Sequence, residues 1–151
     1  IKYNRYSISV RDFEKAISFS EEAENHLINT LAYEALLFSA IICYFRPFTS
    51  NERGPNSDAT SRLDLSEFQP LSRDEQEIHQ RCKELRNKAL AHAEFEFYPT
   101  RLNRETGVTA SAVFSLIKHA PYPRQIAALA QKMKDQCHHK RADYIRANRV
   151  L

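Results

Sequence analysis

Between Arg11 and Arg46 the chain carries neither glycine nor proline. Nothing in that stretch interrupts a helix, and its apolar residues recur at helical spacing: Phe13, Ala16 and Ile17, Ala23, Leu27 and Ile28, Leu31, Ala35, Phe38, Ile42, Phe45. The steps of three and four from Ile28 to Phe45 define one face, and the phase does not visibly slip between Phe13 and Leu31. The spacing predicts one helix of about 35 residues, longer than most helices in globular proteins. A break near 20–25 is the alternative. Leu36, Leu37 and Ile41 fall on other faces. The second half is therefore apolar nearly all round, as at the centre of a bundle or at a dimer interface.

Composition supports a mainly α chain. Only Gly54 and Gly107 occur in 151 residues, whereas an all-β chain needs many tight turns. An apolar content of 42% suffices for one core, so residues 1–151 read as a single domain. The formal charge of +3 permits nucleic-acid contact without requiring it. Cys43, Cys82 and Cys137 are odd in number and not closely spaced, which suits reduced thiols in a cytoplasmic protein. The longest apolar run, Ala35 to Phe45, is about half of what a membrane span needs. No signal-peptide pattern is visible at the start, so no membrane partner is expected.

Along the chain, Ile1 to Val10 reads as an irregular lead-in, with Ser9 as a cap for a helix from Arg11. Arg46-Pro47-Phe48 ends the first helix, since Pro47 lacks an N–H. Thr49 to Leu71 reads as a long loop with a short helical turn at Leu63 to Phe68. Ser72 and Glu75 form a capping-box pattern for a helix reaching about Glu94, with the stripe Ile78, Cys82, Leu85, Ala89 and then His92. Phe95 to Tyr98 alternates and Val108 to Ile117 is rich in β-branched residues. These predict a β-hairpin or extended arm before the last helix. That helix should begin near Arg124, with the stripe Ile126, Leu129, Ala130, Met133, Cys137 and Tyr144.

Most of the chemistry lies on residues 84–94. Histidine can take a proton from a ribose 2′-hydroxyl because it titrates near neutrality. Arginine can steady a pentavalent phosphorane because its donor fork matches phosphate oxygens. Arg86 and His92 supply this pair, Asn87 is a polar neighbour, and Lys88 adds charge. Six residues of helix rotate by about 240° and rise about 9 Å, so one helix does not bring the two side chains to one face. A two-fold dimer or a frayed helix end would. The competing reading makes His92 a core histidine on the stripe of Cys82 and Leu85. His79, two turns before Arg86, either lines the same groove or is a solvated surface histidine. Arg46 suits a helix C-terminus first and a phosphate second. His119, His138 and His139 lack a spaced ligand framework, so no metal is expected.

Residues 84–94 resemble the signature of HEPN domains: an arginine, a polar residue, and a histidine after a spacer that is five residues here, Arg86 to His92. Tyr44-Phe45-Arg46-Pro47-Phe48, then Ile78-His79, then Leu85 to His92 follow the order of a bacterial subgroup bearing Arg-Asn-Lys-x-x-x-His. The similarity extends over residues 11–98. Ser-Asp often follows the histidine in that pattern; this chain has Ala93-Glu94. The resemblance implies a HEPN-like helical bundle acting as a homodimer and as a metal-independent RNase of the toxin–antitoxin or phage-defence type, with no cofactor. Arg86 would stabilise phosphate charge, His92 would act as acid and base, and Asn87 would orient, while Lys88, His79 and Arg46 would contact RNA. An antitoxin protein could accompany it. The alternative is a catalytically inactive HEPN-like module that binds a nucleotide or a protein.

Overall fold

The computed structural model describes residues 2–49, 62–90, 100–107, 109–111 and 115–149; of 88–90, 100–102 and 109–111 it describes the backbone. The chain is mainly α. Helices α1 (Lys2–Ala23) and α2 (Leu31–Phe45) are followed by α3 (Arg73–Glu84) with a π-helical turn at Leu85–Leu90, the short α4 (Leu116–His119) and the long α5 (Pro123–Asn148). Helix α1 packs along both α5 and α2, and α3 closes against α2 and α5.

The single long helix expected over 11–46 is two helices. Around Glu22 to Thr30 the backbone makes short-range turn bonds, such as His26 N–H to Ala23 O at 3.0 Å and Thr30 N–H to Leu27 O at 3.0 Å. Thr30 then caps α2, its hydroxyl accepting from Tyr33 N–H at 3.3 Å. Asn25, Asn29 and Thr30 supply turn chemistry without glycine or proline. The reversal lets α1 and α2 pack on each other, which one continuous helix could not do.

The break also changes which face of α2 is inside. The expected stripe is largely outward: Ile28 is 52%, Leu31 82% and Phe38 40% exposed. The buried set is Tyr33, Leu37, Ala40, Ile41 and Tyr44, with Cys43 and Phe45. These steps of three and four fit a helix equally well, so periodicity could not choose between the faces.

At the N-terminus the irregular lead-in is also corrected, because α1 runs from Lys2. Ser9 is fully buried within the helix rather than capping it. Arg5 and Asp12 join the inner face: the Arg5 guanidinium donates to Pro47 O at 2.5 Å and Arg46 O at 3.3 Å, closing the C-terminal end of α2. Burial lowers the Arg5 pKa, opposed by Asp12.

Helix α3 begins where its capping box places it. Ser72 Oγ accepts from Glu75 N–H at 3.2 Å, and Glu75 accepts from Ser72 N–H at 2.7 Å. Lys132 also donates to Glu75, at 2.8 Å, tying the start of α3 to α5. This Lys132 bond, with the Ser72 bonds, lowers the Glu75 pKa. Fully buried Phe13, Leu37, Ile41, Leu85, Ile126 and Met133 form the centre of the core, each side chain contributing about 2 kcal/mol by leaving water. Tyr144, expected on the buried stripe of α5, is 50% exposed and stacks on Tyr3 instead.

Thr100–Leu102 (β1) and Thr109–Ser111 (β2) pair antiparallel, Arg101 opposite Ala110. Gly107 takes φ +69° in the turn between them, a region that only glycine enters at little cost. The other residues expected to form the arm, 95–98, 108 and 112–114, lie outside the described residues. Leu116 and Ile117, expected at the end of a β-rich segment, begin a helical turn, Leu116–His119, instead.

Candidate functional site

Arg86 and Asn87 sit on the π-helical turn Leu85–Leu90. Fully buried Cys82 and Leu85 hold the run against the core, and the turn lies against α2. Both polar side chains are half-buried. The guanidinium Nη1 donates to Asn87 Oδ1 at 2.9 Å. That bond fixes one edge of the fork and leaves Arg86 other N–H groups to aim at an anion. π turns are rare and recur at functional sites. A π turn also slips the helical phase by about one residue, so the regular α-helical spacing of α3 does not extend through it. Lys88 belongs to the same turn through its backbone; His92 lies outside the described residues.

His79 is neither a solvated surface histidine nor a neighbour of Arg86 in one pocket. It is 8% exposed and packed among the rings of Phe48, Phe45 and Tyr44, at 4.8, 5.3 and 5.8 Å between centroids. Burial, with a smaller contribution from Lys83, lowers its pKa to about 4, so the imidazole is neutral at pH 7. Tyr44 Oη lies 2.8 Å from its Nδ1. The phenol is fully buried, which raises its pKa well above the usual value. A buried O–H needs an acceptor, and Nδ1 is the one within reach. The phenol therefore donates to Nδ1 and the ring proton sits on Nε2, making His79 a donor rather than a base.

Arg46 is half-exposed and its Nη1 donates to buried Asp12 at 3.0 Å. With Arg5 it fastens α1 to the end of α2. Of the six residues singled out in the sequence, the structure brings together Arg86 and Asn87, and sets Arg46 and His79 in separate surroundings.

An open groove of about 1320 Å³ lies between α3, the 65–71 segment and the 118–125 segment, with His79, Arg81, Glu84, Lys118 and His119 on its walls. Arg86 and Asn87 do not line it. Four of its charges are paired, Arg73 with Glu77 and Arg81 with Glu84, each at 3.5 Å, and Asp74 and Lys118 also line it, so positive and negative side chains balance. Sequence reading missed this groove because its walls come from segments about 40 residues apart and share no motif.

The three cysteines are buried and unbridged. Burial pushes the thiols of Cys82 and Cys137 up to about 12, which removes their thiolate reactivity. Among the described residues, no group of three or more His, Cys, Asp or Glu side chains is placed to hold a metal ion. Leu31–Phe48 is apolar enough for its length to count as a membrane-crossing candidate, yet half of it is buried inside the fold, as a core helix would be. Comparison with protein-family models, curated proteins and solved structures gives no match to this chain.

Proposed function

We propose that the chain is a HEPN-like, metal-independent RNase acting as a homodimer, with Arg86 and His92 as its reacting pair. The observation that carries this reading is the Arg86 guanidinium, half-buried and steadied by Asn87 on a π-helical turn. Arg86 binds the scissile phosphate and holds the charge that builds on its oxygens. His92 takes the 2′-hydroxyl proton, the freed oxygen attacks phosphorus, and the bond to the 5′-oxygen breaks. An imidazolium returns a proton to that leaving oxygen. Lys88 adds positive charge beside the phosphate.

The outward apolar face of α2 supports pairing with a second copy. Leu31 and Phe38 lie on it, continued by Leu27 at 80% and Ile28 at 52% exposure, and Glu34 is the one charged residue of α2. A nearly uncharged face meets its own copy without like-charge repulsion. Phe38→Glu should turn the dimer into a monomer by light scattering and reduce RNA cleavage in parallel. A parent chain that is already monomeric and active removes the dimer from the proposal.

The decisive experiment incubates the purified chain with total RNA, with and without EDTA. Cleavage should resist the chelator and vanish in His92→Ala, whose melting should match that of the parent. Chelator-sensitive cleavage, or a His92→Ala variant that still cuts, overturns the mechanism. The balanced charge of the 1320 Å³ groove favours a second reading, a silent module that binds a nucleotide or a protein. It requires ligand-induced protection without turnover.

A further inference from the structure

A second, smaller groove of about 540 Å³ runs between the 67–69 segment and the far half of α5. Its size falls within the range of small-molecule sites, roughly 300–1,000 Å³. Gln136 and Lys140 both line it. They are four residues apart on α5 and therefore on one face.

Gln136 is 9% exposed. Its Oε1 accepts from the backbone N–H of Gln69 at 2.7 Å, which fixes the orientation of the amide, since the nitrogen could not accept that bond. Its Nε2 is buried and has no acceptor. A buried donor left unmade costs about 1–3 kcal/mol, so the site is short of one acceptor atom. Half-buried Lys140 makes no hydrogen bond or ion pair among the described residues. The other charges on the groove are engaged: Arg146 with Asp143 at 2.7 Å, and Glu67 with Lys2. Two residues of the groove wall are therefore unsatisfied among the described residues: Gln136, with a buried amide donor, and Lys140, with an uncommitted cation.

We propose that this groove binds a small carboxylate, its oxygens shared between the Gln136 amide N–H and the Lys140 ammonium. Among the described residues, the uncommitted Lys140 matches one negative charge. The carboxylates of Glu67 and Asp143 on the rim disfavour a phosphate dianion by like-charge repulsion. Phe68, a wall residue that is 8% exposed, gives an apolar body somewhere to rest. The site involves none of the residues assigned to RNA cleavage.

Benzoate is a suitable probe, titrated into the full chain and followed by NMR of glutamine side-chain amides, with inorganic phosphate and chloride as comparisons. The Gln136 amide signals should move saturably with benzoate at ~1–10 mM, a range that fills sites with millimolar or tighter dissociation constants. Gln136→Glu keeps the acceptor for Gln69 and replaces the donor with a negative charge. It and Lys140→Gln should each weaken binding at least about tenfold, and Lys140→Arg should restore it. If Gln136→Glu fails to fold, the Lys140 pair decides the matter on its own. A parent chain with no saturable shift has an ordered water on Nε2 and no ligand site, which overturns the proposal. Equal binding of benzoate by the parent and Lys140→Gln overturns it too, as does phosphate that binds as tightly as benzoate.

Discussion

His79 and Arg86 stand two helical turns apart on one helical run, His79 on regular α3 and Arg86 on the π turn that follows. The imidazole is enclosed by three aromatic rings and bonded to a buried phenol. The guanidinium is half-exposed and held by an adjacent amide. Enclosure costs His79 its charge, because desolvation in an apolar cage penalises the protonated form and leaves it neutral down to about pH 4. Arginine is the permanently charged side chain of proteins, so the π turn can present its fork as a fixed cation. The same stretch of chain therefore carries a polar group spent on packing beside one available for binding.

The largest expected effect separates the two by activity. Arg86→Ala should lower RNA cleavage about a thousandfold, the scale of losing a group that stabilises transition-state charge, while thermal melting stays close to that of the parent. A variant that unfolds instead would assign Arg86 to the scaffold. His79→Ala should do the reverse. It opens a cavity beneath Phe48 and strands the Tyr44 hydroxyl, costing about 3 kcal/mol in denaturant unfolding. A loss under about 1 kcal/mol would mean the cage is not as tight as the ring distances indicate.

The pH dependence sharpens the contrast further. The unfolded chain protonates His79 near its ordinary value of 6.5, and the folded chain near 4. Between these values the unfolded state binds a proton that the native state does not. The His79 contribution is full above about pH 6.5, shrinks as pH falls, and is exhausted near pH 4, a loss of up to about 3 kcal/mol. Urea titrations across this window should show the slope in the parent and lack this component in His79→Gln. Identical slopes in both would place the titrating group elsewhere.

Local hydrogen bonding accounts for what could be read without coordinates. The Ser72–Glu75 box starts α3, α5 begins at Pro123, one residue before the expected Arg124, and the stripe from Ile126 to Cys137 is buried as its spacing predicts. The caps and the helical spacing depend on partners within a few residues, and so does the mainly α character of a chain with two glycines. Arg86 and Asn87 were legible for the same reason, being neighbours in sequence. The sequence favours one helix over 11–46 and leaves a break near 20–25 as the alternative, because Asn25 and Thr30 can be helical or can turn; burial of α1 against α2 and α5 selects the turn.

Long-range packing settled the rest. Leu31 and Leu37 are equally apolar, yet one faces out and the other in, because the inward side of α2 is wherever α1 and α5 lie. His79 reads as a surface residue until Tyr44, 35 positions earlier, and Phe48 close over it. The Gln136 donor becomes an orphan only when Gln69 has fixed its amide. Caps and stripes are short-range and survive in the one-dimensional pattern. The worth of a buried polar atom is set by low dielectric and by partners far along the chain, and those exist only once the helices have packed.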